Sequence, residues 1–222
     1  MKGQVIDLTV TVDTATKSPP STDLTVELTR YRRGPGFWQV TAVSQGLHTG
    51  SHIDSPLHCF EGGLTTAEIP LDRVIGEAFV LDCSHVQPEQ PIEVGDLEAS
   101  AKGLRDDDIL IVRTDWTDRA WGRFPEFFTR SPYLTPEAAE WLVAQRPKAV
   151  GFDFFEEYCA RLPDFSSEDF VCHRILLGAG LPLLEQITGL GRVGRQRFDF
   201  FAAFYKIAGT EGAPARYFAL VT

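Results

Sequence analysis

Residues His48–His58 read HTGSHIDSPLH, and three of the protein's five histidines fall within these eleven positions. One acid, Asp54, lies among them. Imidazole nitrogens and carboxylate oxygens are the usual ligands of zinc and related divalent ions. The stretch therefore predicts a metal site, and we expect the rest of the fold to be arranged around it.

Backbone geometry limits the conformations that can form such a site. An extended strand would separate the α-carbons of His48 and His52 by about 13 Å, which is too far for one ion. A helix would align these two histidines but would turn Asp54 away, and Pro56 disfavours a helical residue before it. A compact turn remains, and Gly50 supplies the conformational freedom that such a turn often requires.

We therefore interpret His48, His52 and Asp54 as converging ligands, with His58 placed slightly further away for proton transfer. The alternative is a polar loop whose histidines bind only backbone groups. That alternative would be preferred for one isolated histidine. Three histidines with an interleaved acid, a glycine and a proline favour a site.

The same residues resemble the His-x-Gly-Thr-His-x-Asp-x-Pro-x-His signature of the cyclase family, which includes bacterial kynurenine formamidases and isatin hydrolases. Ser51 stands where the family usually has threonine, so the hydroxyl group is kept. Because the signature is long and ordered, the resemblance is specific. It implies a metal-dependent hydrolase.

Length and composition set the outer bounds. The 222 residues, 43% hydrophobic and 23% charged, predict one globular domain over positions 1–222. The net charge of −10 argues against nucleic acid as a partner. The opening MKGQVIDLTV lacks the apolar core of a signal peptide, and no apolar run reaches the roughly 20 residues of a membrane span. We therefore expect neither secretion nor a membrane partner.

Cysteine usage favours a reducing compartment. None of the four cysteines forms a Cys-x-x-Cys pair, which fits free thiols and a cytoplasmic location. Cys59 follows His58 directly, but neighbouring side chains usually point apart. A thiol mechanism is therefore not preferred.

Periodicity and capping signals predict an α/β fold, a mixed β-sheet with few helices. Helices are expected near residues 96–102, from the Thr135 N-cap to Gln145, and from Ser166 or Ser167 to Gly178. The predicted strands span residues 5–12, 25–28, 37–44, 74–83, 109–113, 148–152, 181–187, 198–207 and 215–221. We expect Asp106–Asp108 to form a solvated turn, and the aromatic segment Trp116–Arg130 to be irregular and to serve as a lid or a dimer surface.

A second group of ligands should come from elsewhere in the chain, because three ligands from one turn leave a site incomplete. His173 lies in the last predicted helix, and Glu185 lies in the apolar strand LPLLEQI. A buried unpaired carboxylate is energetically expensive. Either a metal ion or an arginine, Arg174 or Arg192, would remove that cost.

The stretch HRILLGAGLPLLEQ resembles the family's second motif, a histidine followed twelve residues later by a glutamate. LIVRTDW and SPYLTPEAAEWL extend the similarity over most of the chain. The resemblance implies one or two divalent ions, zinc first and manganese second, in a swivelling β/β/α homodimer or homotetramer. It also implies a role for each residue: His48 and His52 on the first ion, His173 on the second, Asp54 and Glu185 bridging both, and His58 as proton donor and acceptor.

The chain also departs from the family, and these departures concern the substrate. The first tryptophan is Trp38 rather than one near the N-terminus, and Phe154–Glu157 stands where a Ser-x-Asp element is usual. N-formylkynurenine is therefore not the expected substrate. Phe37 and Trp38 are each assigned to the core or to a pocket beside the metal, and Phe37, Trp38 and Phe154 are the candidate substrate contacts.

Together these patterns predict a metal-dependent amidohydrolase acting on a small amide, formamide, cyclic amide or lactone, with His58 as general acid and base. The alternative is a non-catalytic binding module with a structural metal. A closed four-ligand site would favour that alternative. His58, which is not needed as a ligand, favours the enzyme.

Overall fold

A mixed sheet that closes on itself forms the centre of the computed structural model, which describes residues 3–221. The order is β1-β12-β11-β5-β7-β9-β10-β4, and β4 also pairs with β12, so the sheet forms a barrel. The strands are β1 Gln4–Asp7, β2 Glu27–Arg32, β3 Gln39–Ser44, β4 His52–Asp54, β5 Ile75–Asp82, β6 Pro91–Ile92, β7 Ile109–Arg113, β8 Tyr133–Leu134, β9 Ala149–Phe152, β10 Leu183–Glu185, β11 Arg197–Phe204 and β12 Gly212–Val221.

Short helices cover one side of this barrel. They are α1 Val94–Ser100, α2 Trp116–Ala120, α3 Glu126–Thr129, α4 Pro136–Ala144 and α5 Val171–Gly178. Single 3₁₀ turns occur at Pro56–His58, Thr66–Glu68, Leu71–Arg73, Cys159–Arg161, Ser167–Asp169 and Leu190–Arg192. Within residues 3–221, each helix is too short or too polar to cross a bilayer.

The parallel strands β5, β7, β9 and β10 are buried on both faces, and β7 illustrates why. Ile109 and Ile111 belong to the barrel interior, whereas Leu110 and Val112 belong to the core beneath the helices. A strand that is buried on both faces reads as an unbroken apolar run. The run ILIVR therefore predicted β7 correctly.

The α/β prediction is confirmed, and its best-defined helix starts where its cap signals indicated. The Thr135 hydroxyl accepts a hydrogen bond from the Ala138 amide, and Pro136 opens α4. The predicted domain bounds, positions 1 and 222, lie outside the described residues.

The predicted bounds of the first strand and of the last helix are wrong. The first strand ends at Asp7, and Thr9 makes only an isolated bridge. The last predicted helix begins at Val171, because the backbone of Phe170, at φ −81° and ψ 66°, separates it from the turn that Ser166 caps.

The Asp106–Asp108 turn is only partly solvated. Asp108 is buried, and its Oδ2 accepts a hydrogen bond from Arg197 Nη2 at 2.8 Å. The segment Trp116–Arg130 contains two short helices, and Phe127 and Phe128 lie in the helix-side core. Its aromatic residues therefore pack within their own chain.

The β2–β3 hairpin pairs with no other described strand and is exposed along its length. Phe37 is 85% exposed and Trp38 is 52% exposed. The expectation of a core position for these two residues is therefore wrong, because the hairpin projects from the barrel.

Candidate metal centre

The register between β4 and β10 brings three of the predicted ligands to one surface. His52 pairs with Glu185, and Asp54 pairs with Leu183. Side chains two residues apart on a strand share a face, and so do directly paired residues. His52, Asp54 and Glu185 therefore point into one buried volume, in which each is at most 2% exposed.

The predicted compact turn is thus only part of the local structure. His48 lies in a turn before β4, and His58 ends the 3₁₀ turn after it. His52 and Asp54, in contrast, lie on a three-residue strand. A strand through both His48 and His52 would hold these residues too far apart to share one ion. The observed strand begins at His52, so His48 lies outside it, in the preceding turn.

The rings of His48, His58 and His173 complete the cluster. The ring of His48 stacks on that of His58 at a centroid distance of 4.1 Å and meets that of His52 edge-on at 5.1 Å. His173, in the first turn of α5, approaches His58 from the other side at 5.6 Å. Three overlapping groups could each hold an ion: His48, Asp54 and His58; Asp54, His173 and Glu185; and Glu156, Glu157 and His173.

The two oxygens of Asp54 face different histidines. Oδ1 lies 2.7 Å from Nδ1 of His48 and 3.2 Å from Nε2 of His52. Oδ2 lies 3.7 Å from Nε2 of His173. This division is what a carboxylate between two cation positions requires.

Backbone contacts fix the orientation of His52. Its Nδ1 lies 2.7 Å from the carbonyl oxygen of Gly50, which can only accept, so Nδ1 carries the proton and Nε2 is free for an ion. Ser51 stabilises the same turn, since its hydroxyl donates to the Gln186 carbonyl and accepts from the Val10 amide. Ser51 makes both hydrogen bonds through its hydroxyl group, which the threonine of the family signature also has.

The charges of the cluster are suited to a cation. Asp54 Oδ2 and Glu185 Oε1 are buried, and neither has a hydrogen-bond partner among the described residues. Burial, followed by the neighbouring Glu156 carboxylate, raises the pKa of Glu185 well above its usual range. A divalent ion would compensate these oxygens, and histidine with carboxylate is a suitable donor set. Neither Arg174 nor Arg192 forms an ion pair with Glu185 within residues 3–221.

The pKa values of two histidines move in opposite directions. Burial lowers the pKa of His48, but the Asp54 and Glu211 carboxylates outweigh it and raise the value to about 9. Burial lowers the pKa of His58 to about 3, and the attraction of Asp54 only partly offsets this effect. His58 is therefore a neutral imidazole at neutral pH, although its pKa lies below the working range we expected for a general acid and base.

Several residues beside the cluster were not predicted. Glu157 accepts hydrogen bonds from the backbone and ring Nδ1 of His173, at 2.7 and 3.0 Å, and Glu156 lies beside it. Glu211 contacts His48 Nε2 at 3.2 Å. The signal for the first pair was two consecutive acids after an apolar strand. No sequence pattern marked Glu211, which lies just before β12.

Two adjoining cavities differ greatly in size. The cavity at the cluster has a volume of about 30 Å³, enough for an ion or a water molecule. The other has about 570 Å³ and shares His58 and Phe170 with the first. The smaller cavity is lined by Phe155, whereas Phe154 is fully buried against Phe152. Phe154, a predicted substrate contact, is therefore enclosed in the core, and its neighbour Phe155 lines the cavity at the cluster instead.

Fold and site together define a class: a closed mixed α/β barrel with a buried histidine–carboxylate centre of the type that binds a divalent metal. The family described as "Putative cyclase" matches residues 6–156, and the chain belongs to that family. The predicted resemblance is therefore confirmed.

Named relatives extend this comparison. The kynurenine formamidase of Erythrobacter litoralis is 30% identical over 179 residues, which cover 80% of this chain and 74% of the relative. That of Bacillus cereus is 22% identical over 198 residues, covering 89% and 88%. An isatin hydrolase solved with the product analogue thioisatinate has a TM-score of 0.84 at 24% identity, covering 99% of this chain and 93% of the other. The last comparison supports the fold.

Proposed function

We propose that this protein is a metal-dependent hydrolase that cleaves a small amide, formamide, cyclic amide or lactone. The observation that carries the proposal is the convergence of histidines and unpartnered buried carboxylate oxygens beside a neutral His58. The names of the relatives, kynurenine formamidase and isatin hydrolase, agree with this reaction class.

The ligands would be His48, His52 and Asp54 for one ion, and Asp54, His173 and Glu185 for a second. Zinc is our first choice of metal and manganese the second, since mixed nitrogen and oxygen donors accept both. A bound ion supplies Lewis-acid chemistry, polarising a carbonyl group and acidifying water.

His58 supplies the proton transfer. Its ring lies at the boundary between the small and large cavities, so one face contacts the cluster and the other meets an incoming substrate. From this position His58 can accept a proton from the attacking water and return it to the departing nitrogen or oxygen. A non-catalytic binding module would not require a neutral base at this boundary.

The larger cavity favours a small, partly aromatic substrate. Phe165 and Phe170 contribute aromatic surface, while Arg174 and several hydroxyl groups contribute polar contacts. The Phe154–Glu157 segment and the absence of an N-terminal tryptophan argue against N-formylkynurenine. We expect its kcat/KM to be lower than that of another small amide or lactone.

Assembly and location complete the proposal. A two-stranded hairpin is marginal in water by itself. The β2–β3 hairpin exposes Tyr31, Val40 and Val43 besides its aromatic tip. A second copy of the chain would cover this apolar surface, which supports a homodimer or homotetramer. The free cysteines support a cytoplasmic location.

Metal exchange combined with a substrate screen tests the function. Protein stripped with a chelator should be inactive towards formanilides, cyclic imides, lactones and N-formylkynurenine, and zinc or manganese should restore activity towards at least one class. Protein that contains stoichiometric metal and hydrolyses none of these compounds would contradict the proposal. Activity that is unaffected by complete metal removal would also contradict it.

A further inference from the structure

Arg174 differs from the other half-buried arginines of the described chain. Residues 3–221 contain five half-buried arginines, and four of them donate side-chain hydrogen bonds to carbonyl or carboxylate oxygens: Arg73, Arg113, Arg161 and Arg197. Within the same range the guanidinium group of Arg174 donates none, and its ion-pair partner Glu168, at 3.4 Å, has a side chain that is 73% exposed. A solvated pair of this kind contributes little to stability. The N–H donors of Arg174 are therefore available to a ligand.

The ring of Phe60 fixes the place of this guanidinium group. The Cζ atom of Arg174 lies over the ring, 5.6 Å from its centroid, and Phe60 itself packs against the helix-side core. An arginine can interact with an aromatic face and at the same time donate two parallel hydrogen bonds to a planar carboxylate. The contact with Phe60 therefore holds the cation in position without using its donors.

Arg174 lines the same cavity as the proposed base. The cavity of about 570 Å³ has both His58 and Arg174 in its wall, together with Phe165 and Phe170, whose ring centroids lie 5.7 Å apart. Arg174 directly follows His173 in α5, so the helix that carries a proposed ligand also brings a cation to the adjoining cavity. A molecule that fills this space would meet aromatic surface, one guanidinium group and His58.

We propose that Arg174 determines substrate specificity by binding a carboxylate group of the substrate. The substrate is then an aromatic amide, formamide, cyclic amide or lactone that carries a carboxylate on its ring. This inference rests on the proposed hydrolase function and names the substrate class of the same site. The two oxygens of a carboxylate match the fork of a guanidinium group, and such charge-assisted hydrogen bonds are stronger than neutral ones. Glu168 is the group that the substrate displaces, since its exposed side chain can turn into solvent.

Pairs of compounds that differ only in the carboxylate test the assignment. Suitable pairs are formanilide with the carboxyformanilide isomers, and phthalimide with carboxyphthalimide. The quantity measured is the ratio of kcat/KM for the carboxylated compound to kcat/KM for its neutral partner. Arg174→Met should lower this ratio roughly 10–100-fold, mainly through KM, because the contact is made in the ground state and the transition state alike. Arg174→Lys keeps the charge but lacks the fork, and should restore part of the ratio.

Two further variants serve as controls. Arg195→Met removes one positive charge at an exposed position that lines a different cavity, so it should keep the wild-type ratio. Glu168→Gln removes the competing acid and should raise the ratio roughly 2–5-fold. The proposal is overturned if Arg174→Met lowers kcat/KM equally for both members of a pair, since that result would indicate a structural role. It is also overturned if Arg195→Met lowers the ratio as much, since overall charge would then be the cause.

Binding to metal-free protein separates this inference from the proposed function, because no metal ion is then present to attract the carboxylate. Isothermal titration calorimetry with the same pairs should show that Arg174→Met weakens binding of the carboxylated compound roughly 10–100-fold relative to its neutral partner. Wild type that binds with this selectivity but hydrolyses neither compound would contradict the hydrolase function alone. Equal selectivity in wild type and Arg174→Met would overturn the role of Arg174.

Discussion

At the scale of single residues, the site depends on the group that each histidine nitrogen faces. Nδ1 of His52 donates a hydrogen bond to a backbone carbonyl, and Nδ1 of His173 donates one to Glu157. Nε2 of each ring therefore faces Asp54. His48 instead lies between two carboxylates, whereas His58 forms no ion pair within residues 3–221. We therefore propose the same residue type as a ligand in three cases and as a base in the fourth.

His48 and His58 should therefore fail differently when replaced by alanine. His48→Ala should weaken metal binding and abolish activity, because it removes a ligand. His58→Ala should keep its metal and lose roughly 10²–10⁴ in kcat, because it removes proton transfer alone. Parallel metal titration and kinetics decide between these outcomes. Loss of metal in both variants would make His58 a ligand and refute its assignment as the base.

The raised pKa of His48 predicts a pH dependence of stability in metal-free protein. The folded value is about 9 and the unfolded value is near 6.5. Between these values the folded state holds a proton that the unfolded state has lost, so its contribution is complete below pH 6.5 and disappears as pH rises through 9. The slope should be at most about 1.4 kcal/mol per pH unit.

Urea unfolding of chelator-treated protein from pH 6 to 9.5 measures this slope, with His48→Asn as the control. The control should lose the part of the slope due to His48. Equal slopes in the two proteins would show that His48 is not protonated beside Asp54 and Glu211.

At the scale of elements, the turn before β4 positions the ligands through Gly50. Its φ is +73°, and a Cβ there would lie 2.3 Å from Cγ2 of Val12. Both the conformation and the contact therefore favour glycine. Because the turn carries His48 and leads into His52, a displacement here would move two proposed ligands.

Gly50→Ala should thus destabilise the protein by about 2–5 kcal/mol, the sum of a left-handed backbone cost and overpacking. Gly62→Ala is the control, because Gly62 has φ +75° but nothing within 4 Å of the added Cβ. It should lose only about 1–2 kcal/mol. Chemical denaturation measures both variants, and metal affinity should fall only for Gly50→Ala. Equal losses in stability would mean that the contact with Val12 relaxes freely.

Local signals predicted the elements that depend on local physics. The run ILIVR and the Thr135-Pro136 cap suffice for β7 and α4. The strand β4 has three residues, too few to show a period, so its register with β10 could not be read from the sequence. That register nevertheless explains why His52, Asp54 and Glu185 converge.

Other features of the site depend on contacts between distant segments. Glu211 reaches the cluster from a segment that carries no metal-type motif, so its contact with His48 could not be read from spacing. Whether Phe154 or Phe155 lines the cavity at the cluster depends on the backbone conformation after β9. The exposure of Phe37 and Trp38 depends on the absence of a covering strand on the β2–β3 hairpin within residues 3–221. Composition alone favoured burial at these positions.

At the scale of the whole molecule, the β2–β3 hairpin predicts self-association. Replacing Val40 and Val43 by threonine keeps the β-propensity of the strand but reduces its apolar surface. The double variant should sediment as a smaller species than wild type at micromolar concentration, with unchanged metal content. Val5→Thr, at another exposed valine, is the control. A wild-type monomer, or an assembly unaffected by the double substitution, would contradict the proposed interface.

We propose that His48, His52, Asp54, His173 and Glu185 form one metal centre. Anomalous X-ray diffraction from crystals of protein purified without chelators, recorded on both sides of the zinc and manganese absorption edges, tests it most directly. We predict anomalous density beside Asp54, on the side of His48 and His52, on the side of His173 and Glu185, or on both sides. A well-ordered centre without such density, in protein soaked with each metal, would show that these five residues do not bind a metal ion.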